Sequence, residues 1–172
     1  GYSISRDTRD NRFNPSSGYY YSLSEQFAGL GGDVNYIRSI LRSSYYYKYD
    51  YVDLVAGISG EYGNIEGLDE NVSKSSRFFL GGRKVRGFDS SGIGPRSSAT
   101  SLASAVGGNN YYAGRLALRS GIGLPSETGI QWTVFTDFGT LWGVDDTSDN
   151  YAITTDQKSL RMSVGYGFQW ET

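Results

Sequence analysis

The side chains best equipped for chemistry crowd into one stretch. GGRKVRGFDSSGIGPR, residues 81–96, holds five glycines, one proline and four positive charges. Nothing hydrophobic recurs in it at a helical or strand period. Its arginines offer charge-assisted binding, in which a planar guanidinium meets the two oxygens of a carboxylate. The rest of the chain offers little reactive chemistry. Cysteine and histidine are both absent, which excludes disulfides, zinc sites and histidine-based general base catalysis within this chain. No nucleotide motif, metal cluster or nucleophile triad is visible, so no hydrolysis, metal or cofactor is expected. Lys plus Arg is 16 and Asp plus Glu is 18, and the net charge of −2 gives no electrostatic reason to expect nucleic acid.

A cationic, glycine-rich loop needs a frame to hold it. The 172 residues are enough for one domain with its own core. The 15 Tyr, 3 Trp, 8 Phe and 24 Gly, against 3 Pro and 1 Met, point to many strands and turns. Tyrosine also suits a protein facing two solvents, because its ring is apolar and its tip is wet. No apolar run approaches the length of a transmembrane helix. A membrane barrel stays open, because its alternating strands leave mean hydropathy low, here −0.43. The opening residues GYSISRDTRDNRF are polar and lack an apolar h-region, so the chain reads as carrying no signal peptide.

Period-two patterns dominate the chain. Strands are expected over residues 2–8, 19–28, 34–47, 51–65, 111–124, 129–142 and 159–170. Turns or loops are expected at DNRFNPSSG (10–18), GLGGD (29–33), 48–50, 66–110, PSET (125–128) and 143–158. Val52, Leu54, Ala56, Ile58 and Tyr62 share one face, opposite Asp53, Gly57, Ser59 and Glu61. Ile130, Trp132, Val134, Phe138 and Trp142 oppose Gln131, Thr133, Asp137 and Gly139. Leu160, Met162, Val164, Tyr166, Phe168 and Trp170 oppose Arg161, Ser163, Gly165, Gly167 and Gln169. Two readings fit this pattern. One is a soluble antiparallel sheet with a single wet face. The other is a membrane barrel, apolar toward lipid and polar toward a wet lumen. Runs of about 10 to 14 residues exceed the usual soluble strand of about 5 or 6 and match tilted membrane spans. Aromatics at strand ends, among them Tyr19, Tyr21, Trp132, Trp142 and Trp170, read as an interfacial belt. The expected fold is therefore all-β: about seven meandering antiparallel strands of a larger transmembrane barrel, with a long loop folded inward.

At RFFLGGRKVRGFDSSGIGPR, residues 77–96, the sequence resembles the inward-folded loop of BamA-like outer-membrane assembly factors, in the bacterial surface antigen superfamily. The signature is the tetrapeptide Val85, Arg86, Gly87 and Phe88. The likeness extends through DTRDN, NPSSGYYYSLSEQFAGLGGDVNY, GGNNYYAGR, TDFGTLW and SLRMSVGYGFQW. Six segments in the family's order are specific where a tetrapeptide alone is not. By composition alone Arg86 reads as an exposed loop arginine and Asp137 as a solvated polar-face residue. The resemblance implies instead that Arg86 pairs with acids on the strands after the loop. Asp137, in TDFGTLW, matches one of them, and Glu61 is a second candidate. An arginine inside a lumen needs such a partner, because an unpaired buried charge is costly. Gly87 permits a turn from which Arg86 and Phe88 leave in different directions. The family's second acid falls at Ala117, a departure from its pattern. Arg115, Arg119 and Arg161 read as lumen-lining charges without individual roles.

The resemblance implies part of a non-enzymatic factor that folds and inserts β-barrel proteins into the bacterial outer membrane. Its implied partners are unfolded outer-membrane protein clients, outer-membrane lipid and the accessory lipoproteins of an assembly complex. The family carries periplasmic POTRA domains before a sixteen-stranded barrel. Residues 1–172 read as a partial barrel domain with the long loop at about 66–110, and no POTRA domain is expected among them. The rival readings are a TamA-like or two-partner-secretion polypeptide transporter, a passive porin-like channel, and a soluble β-sheet binding module.

Overall fold

A computed structural model of the chain describes residues 1–29, 35–97, 104–123, 129–145, 153–154 and 158–170. Ten strands form among them. In chain order they are β1 (Tyr2–Asp7), β2 (Gly18–Ala28), β3 (Tyr36–Tyr49), β4 (Leu54–Gly67), β5 (Arg96–Ser97), β6 (Ser104–Ala105), β7 (Asn110–Gly121), β8 (Ile130–Trp142), β9 (Ile153–Thr154) and β10 (Arg161–Trp170). The seven long strands make one antiparallel meander in the order β1-β2-β3-β4-β7-β8-β10. They fall where the alternation is clearest, as the sequence predicts. β3 and β4 have 14 residues each, β8 has 13 and β10 has 10. These lengths suit a tilted membrane crossing of about 9–11 residues with its rims. The short strands form a second sheet, β6-β5-β9, which the sequence did not foretell.

The two faces of the large sheet are chemically distinct. On β10, Met162, Val164, Tyr166, Phe168 and Trp170 are 56% to 81% exposed. Ile58, Leu116 and Val134 are also exposed on neighbouring strands. A soluble sheet would turn such residues into a core. Here the buried cluster is formed by other residues: Ile65, Tyr111 and Leu141 from the strands pack against Val72, Phe78, Leu80, Val85 and Ile93 from the connection between β4 and β7. The core therefore lies between the long loop and the inner wall. The loop's apolar residues follow no period because each is placed by the wall it meets.

Backbone bonds also tie the loop to itself, and its last residue to the end of the wall. Phe78 and Gly108 exchange N–H···O bonds of 2.9 and 3.0 Å, and Ile93 donates to Leu80 O at 3.1 Å. Asn109 donates to Gly143 O at 2.7 Å. Close approach demands a small wall residue at Gly139. A Cβ there would lie 2.8 Å from Tyr112 O and 3.1 Å from both Leu80 and Val85 side chains.

Some expected boundaries move. Val52 and Asp53 are not strand residues. Asp50–Val52 form a 3₁₀ turn, Val52 is exposed, and Asp53 has φ 44°. Aspartate tolerates this left-handed conformation better than most residues, and Lys48 reaches its carboxylate at 3.3 Å. The turn extends the connection and delays β4 to Leu54. Within the expected loop at 143–158, Ile153–Thr154 pairs with β5. Most of GLGGD (29–33), all of PSET (125–128), Val34 and Leu124 lie outside the described residues.

Candidate functional site

Asp137 is the centre of the inner wall's chemistry. It sits on β8 with no solvent exposure. Arg86, at the loop tip, grips it with both arms of its guanidinium: Nε donates to Oδ2 at 2.6 Å and Nη2 to Oδ1 at 2.9 Å. The Arg86 backbone N–H adds a third bond to Oδ2 at 3.2 Å. The guanidinium also lies over the Phe135 ring, 3.1 Å from its centroid. Phe135 is two residues from Asp137 and so shares its face. The backbone turns immediately afterwards, at Gly87, with φ 85°. Val85 is fully buried, and Phe88 packs against the edge of the core. The tetrapeptide thus puts two apolar anchors around one ionic anchor.

Arg115 is not a charge without a role. It lies directly opposite Asp137 in the β7–β8 ladder. Its Nε donates to Oδ1 at 2.7 Å and its Nη2 to Oδ2 at 3.3 Å. The same Nη2 reaches the Arg83 carbonyl at 3.3 Å. One buried carboxylate therefore holds two guanidiniums, one from the loop and one from the wall. Such sharing suits a carboxylate, which has about four acceptor sites. Ala117, where the family's second acid falls, lies opposite Phe135 and Gly57.

Glu61 on β4 does not meet Arg86. It accepts from Arg42 Nε at 2.6 Å and from Lys84 and the Tyr111 hydroxyl. Lys84 Nζ also donates to the Tyr111 hydroxyl at 2.8 Å. The loop tip is thus staked twice, through Lys84 to β4 and through Arg86 to β8. Arg42, Lys84, Tyr111, Arg115 and Phe135 escaped the sequence reading as site residues. Only their parity could have found them, because all but Lys84 fall on the lumenal alternation of their strands. Arg119 reaches the Pro15 carbonyl in the β1–β2 turn. Arg161 is exposed at the start of β10. Among the described residues no group of three or more acidic side chains gathers to hold a metal ion.

An antiparallel wall with an apolar outer face and a cationic loop staked inside is specific enough to compare with known proteins. A model of the Omp85 superfamily domain matches residues 1–172. The chain belongs to the Omp85 superfamily. This Omp85 segment is 36% identical over 172 residues to the outer membrane protein assembly factor BamA of Neorickettsia risticii (strain Illinois), covering 99% of this chain and 22% of that protein. It is 32% identical over 123 residues to a SAM50-like protein of Schizosaccharomyces pombe, covering 68% of this chain and 25% of that one. The segment thus spans about a quarter of these relatives or less. Its fold matches the crystal structure of BamA from Haemophilus ducreyi lacking POTRA domains 1–3, with a TM-score of 0.82 at 21% identity, over 99% of this chain and 36% of that one.

Proposed function

We propose that this Omp85 segment is the C-terminal barrel portion of an outer-membrane protein assembly factor, which folds and inserts β-barrel proteins. Its location is the bacterial outer membrane. The 36% identity to a BamA along the whole segment carries the reading. In this reading the protein works without hydrolysis. Unfolded clients pair with a barrel edge by β-augmentation and pass into a locally disturbed bilayer. Residues 1–172 serve as a braced wall. Val85, Arg86, Gly87 and Phe88 set the long loop against it, and Asp137 is the lumenal partner of Arg86. Glu61 braces the same tip through Lys84. Periplasmic POTRA domains of the whole protein contact accessory lipoproteins.

The test uses the full-length protein in liposomes. An unfolded outer-membrane client is added and its folding is followed by heat-modifiable gel mobility. The expected result is client folding that slows in Arg86→Ala and Asp137→Ala. Steady ion conductance with no client folding would establish a porin-like channel instead. Transfer of a soluble polypeptide across the liposome wall, without insertion, would establish a transporter.

A further inference from the structure

We propose that a recess beside the loop tip binds an oxyanion. The recess has a volume of about 310 Å³ and lies on the lumenal wall. Arg42 and Tyr46 from β3, Tyr20 from β2, Arg115 from β7 and Arg83 and Lys84 from the loop surround it. The hydroxyls of Ser44 and Ser59 complete a lining rich in donors. Glu61 is its one acid. The whole chain has net charge −2, so this concentration of positive charge runs against its overall sign.

The neighbouring acids are already engaged. Arg42, Lys84 and Tyr111 share Glu61, and Arg86 and Arg115 share Asp137. Asp7, on β1, faces Arg9 at 2.8 Å and Arg12 at 3.6 Å. Five cations around the loop tip, Arg42, Arg83, Lys84, Arg86 and Arg115, thus meet two carboxylates. Among the described residues Arg83 has no acidic partner, although Arg115 holds its carbonyl in place. Like charges in a partly enclosed site repel more strongly than in open water. A bound oxyanion offsets that repulsion.

Guanidinium forks match carboxylate and phosphate alike. The volume suits an anion of about the size of inorganic diphosphate, or a pair of acidic side chains. Either would bridge Arg83 and Lys84 on the loop to Arg42 on the wall, so occupancy would tighten the loop's seat. The proposal goes beyond client assembly, and its test involves no client.

The experiment is calorimetric titration of the full-length protein in detergent with inorganic diphosphate, against chloride at equal ionic strength. Saturable binding is expected, weakened about tenfold or more in Arg83→Gln, the loss that removal of a charged hydrogen-bond donor brings. Amide exchange over residues 81–88 is expected to slow on binding. Arg83 is exposed, so the substitution leaves the fold intact. A capped Glu-Glu dipeptide that competes with diphosphate identifies polypeptide acids as the source. A dipeptide without effect identifies a small free ion. No saturable binding, or equal affinity in Arg83→Gln combined with Tyr46→Phe (an adventitious ion only), would overturn the proposal.

Discussion

Shared ownership of Asp137 makes a sharp prediction about unequal mutants. Arg86→Ala removes two side-chain bonds of 2.6 and 2.9 Å, but Arg115 still covers the carboxylate from across the ladder. Hydrogen bonds to charged groups contribute about 1.5–3 kcal/mol, so this loss should be about 2 kcal/mol. Asp137→Ala strands two guanidiniums at once. Breaking a buried ion pair costs about 3–5 kcal/mol, so about 4 kcal/mol is expected, held there because each arginine is a third exposed. The chain contains no cysteine, so one introduced thiol reports cleanly. Val85→Cys places it where exposure is 0%. When reclosing outpaces labelling, the reaction rate follows the population of the open loop. The energies then correspond to labelling accelerated about 30-fold in Arg86→Ala and about a thousandfold in Asp137→Ala. Equal acceleration by both would refute the claim that Arg115 shares the carboxylate. Additive effects in the Arg86→Ala/Asp137→Ala double mutant would refute the pairing itself.

The same thiol reads two further changes. Glu61→Gln should speed its labelling about tenfold, because Lys84 and Arg42 lose a charged acceptor. Gly87→Ala should weaken the seat by about 1–2 kcal/mol, the cost of a side chain in the left-handed region, and an unchanged labelling rate would count against that strain. On the outer face, Val164→Arg should destabilise the folded protein in lipid by about 2–4 kcal/mol in urea titration; indifference would argue that this face does not meet hydrocarbon. In the β1–β2 turn, the Ser16 hydroxyl and the backbone N–H groups of Ser17 and Ser16 hold the Asp10 carboxyl well below the usual aspartate range. Its folded-state value is depressed, so its contribution is full above about pH 4 and drains away as pH falls further. Amide protection of residues 10–17 should follow that course, and Asp10→Asn should abolish the dependence.

The strands were legible because alternation is a local signal. Val134 and Phe168 announce their face without reference to any partner. Boundaries failed where one residue changes the backbone's hand, as Asp53 does. The loop's core was illegible for a related reason. Leu80, Val85 and Ile93 sit at irregular spacing, and only the wall opposite makes them a cluster. Motif and parity bring Arg86 and Asp137 into view as candidates. Nothing local distinguishes Arg115 from Arg119 four positions on; register alone decides which faces Asp137. Glu61 was visible as a lumenal acid, but its partners are Arg42, Tyr111 and, from the loop, Lys84, one residue outside the recognised tetrapeptide.

The rung joining Arg115 to Asp137 also bears on the order of events during folding. β7 and β8 are consecutive in the sheet and separated by a short connection, so they zip early and at little loop-closure expense. Once they do, the buried carboxylate already has a counter-charge. The wall can mature without waiting for a residue 51 positions upstream. A loop that docks afterwards meets a socket that is electrically tolerable when empty. A chain built this way need not leave the buried carboxylate without a counter-charge before the loop is in place.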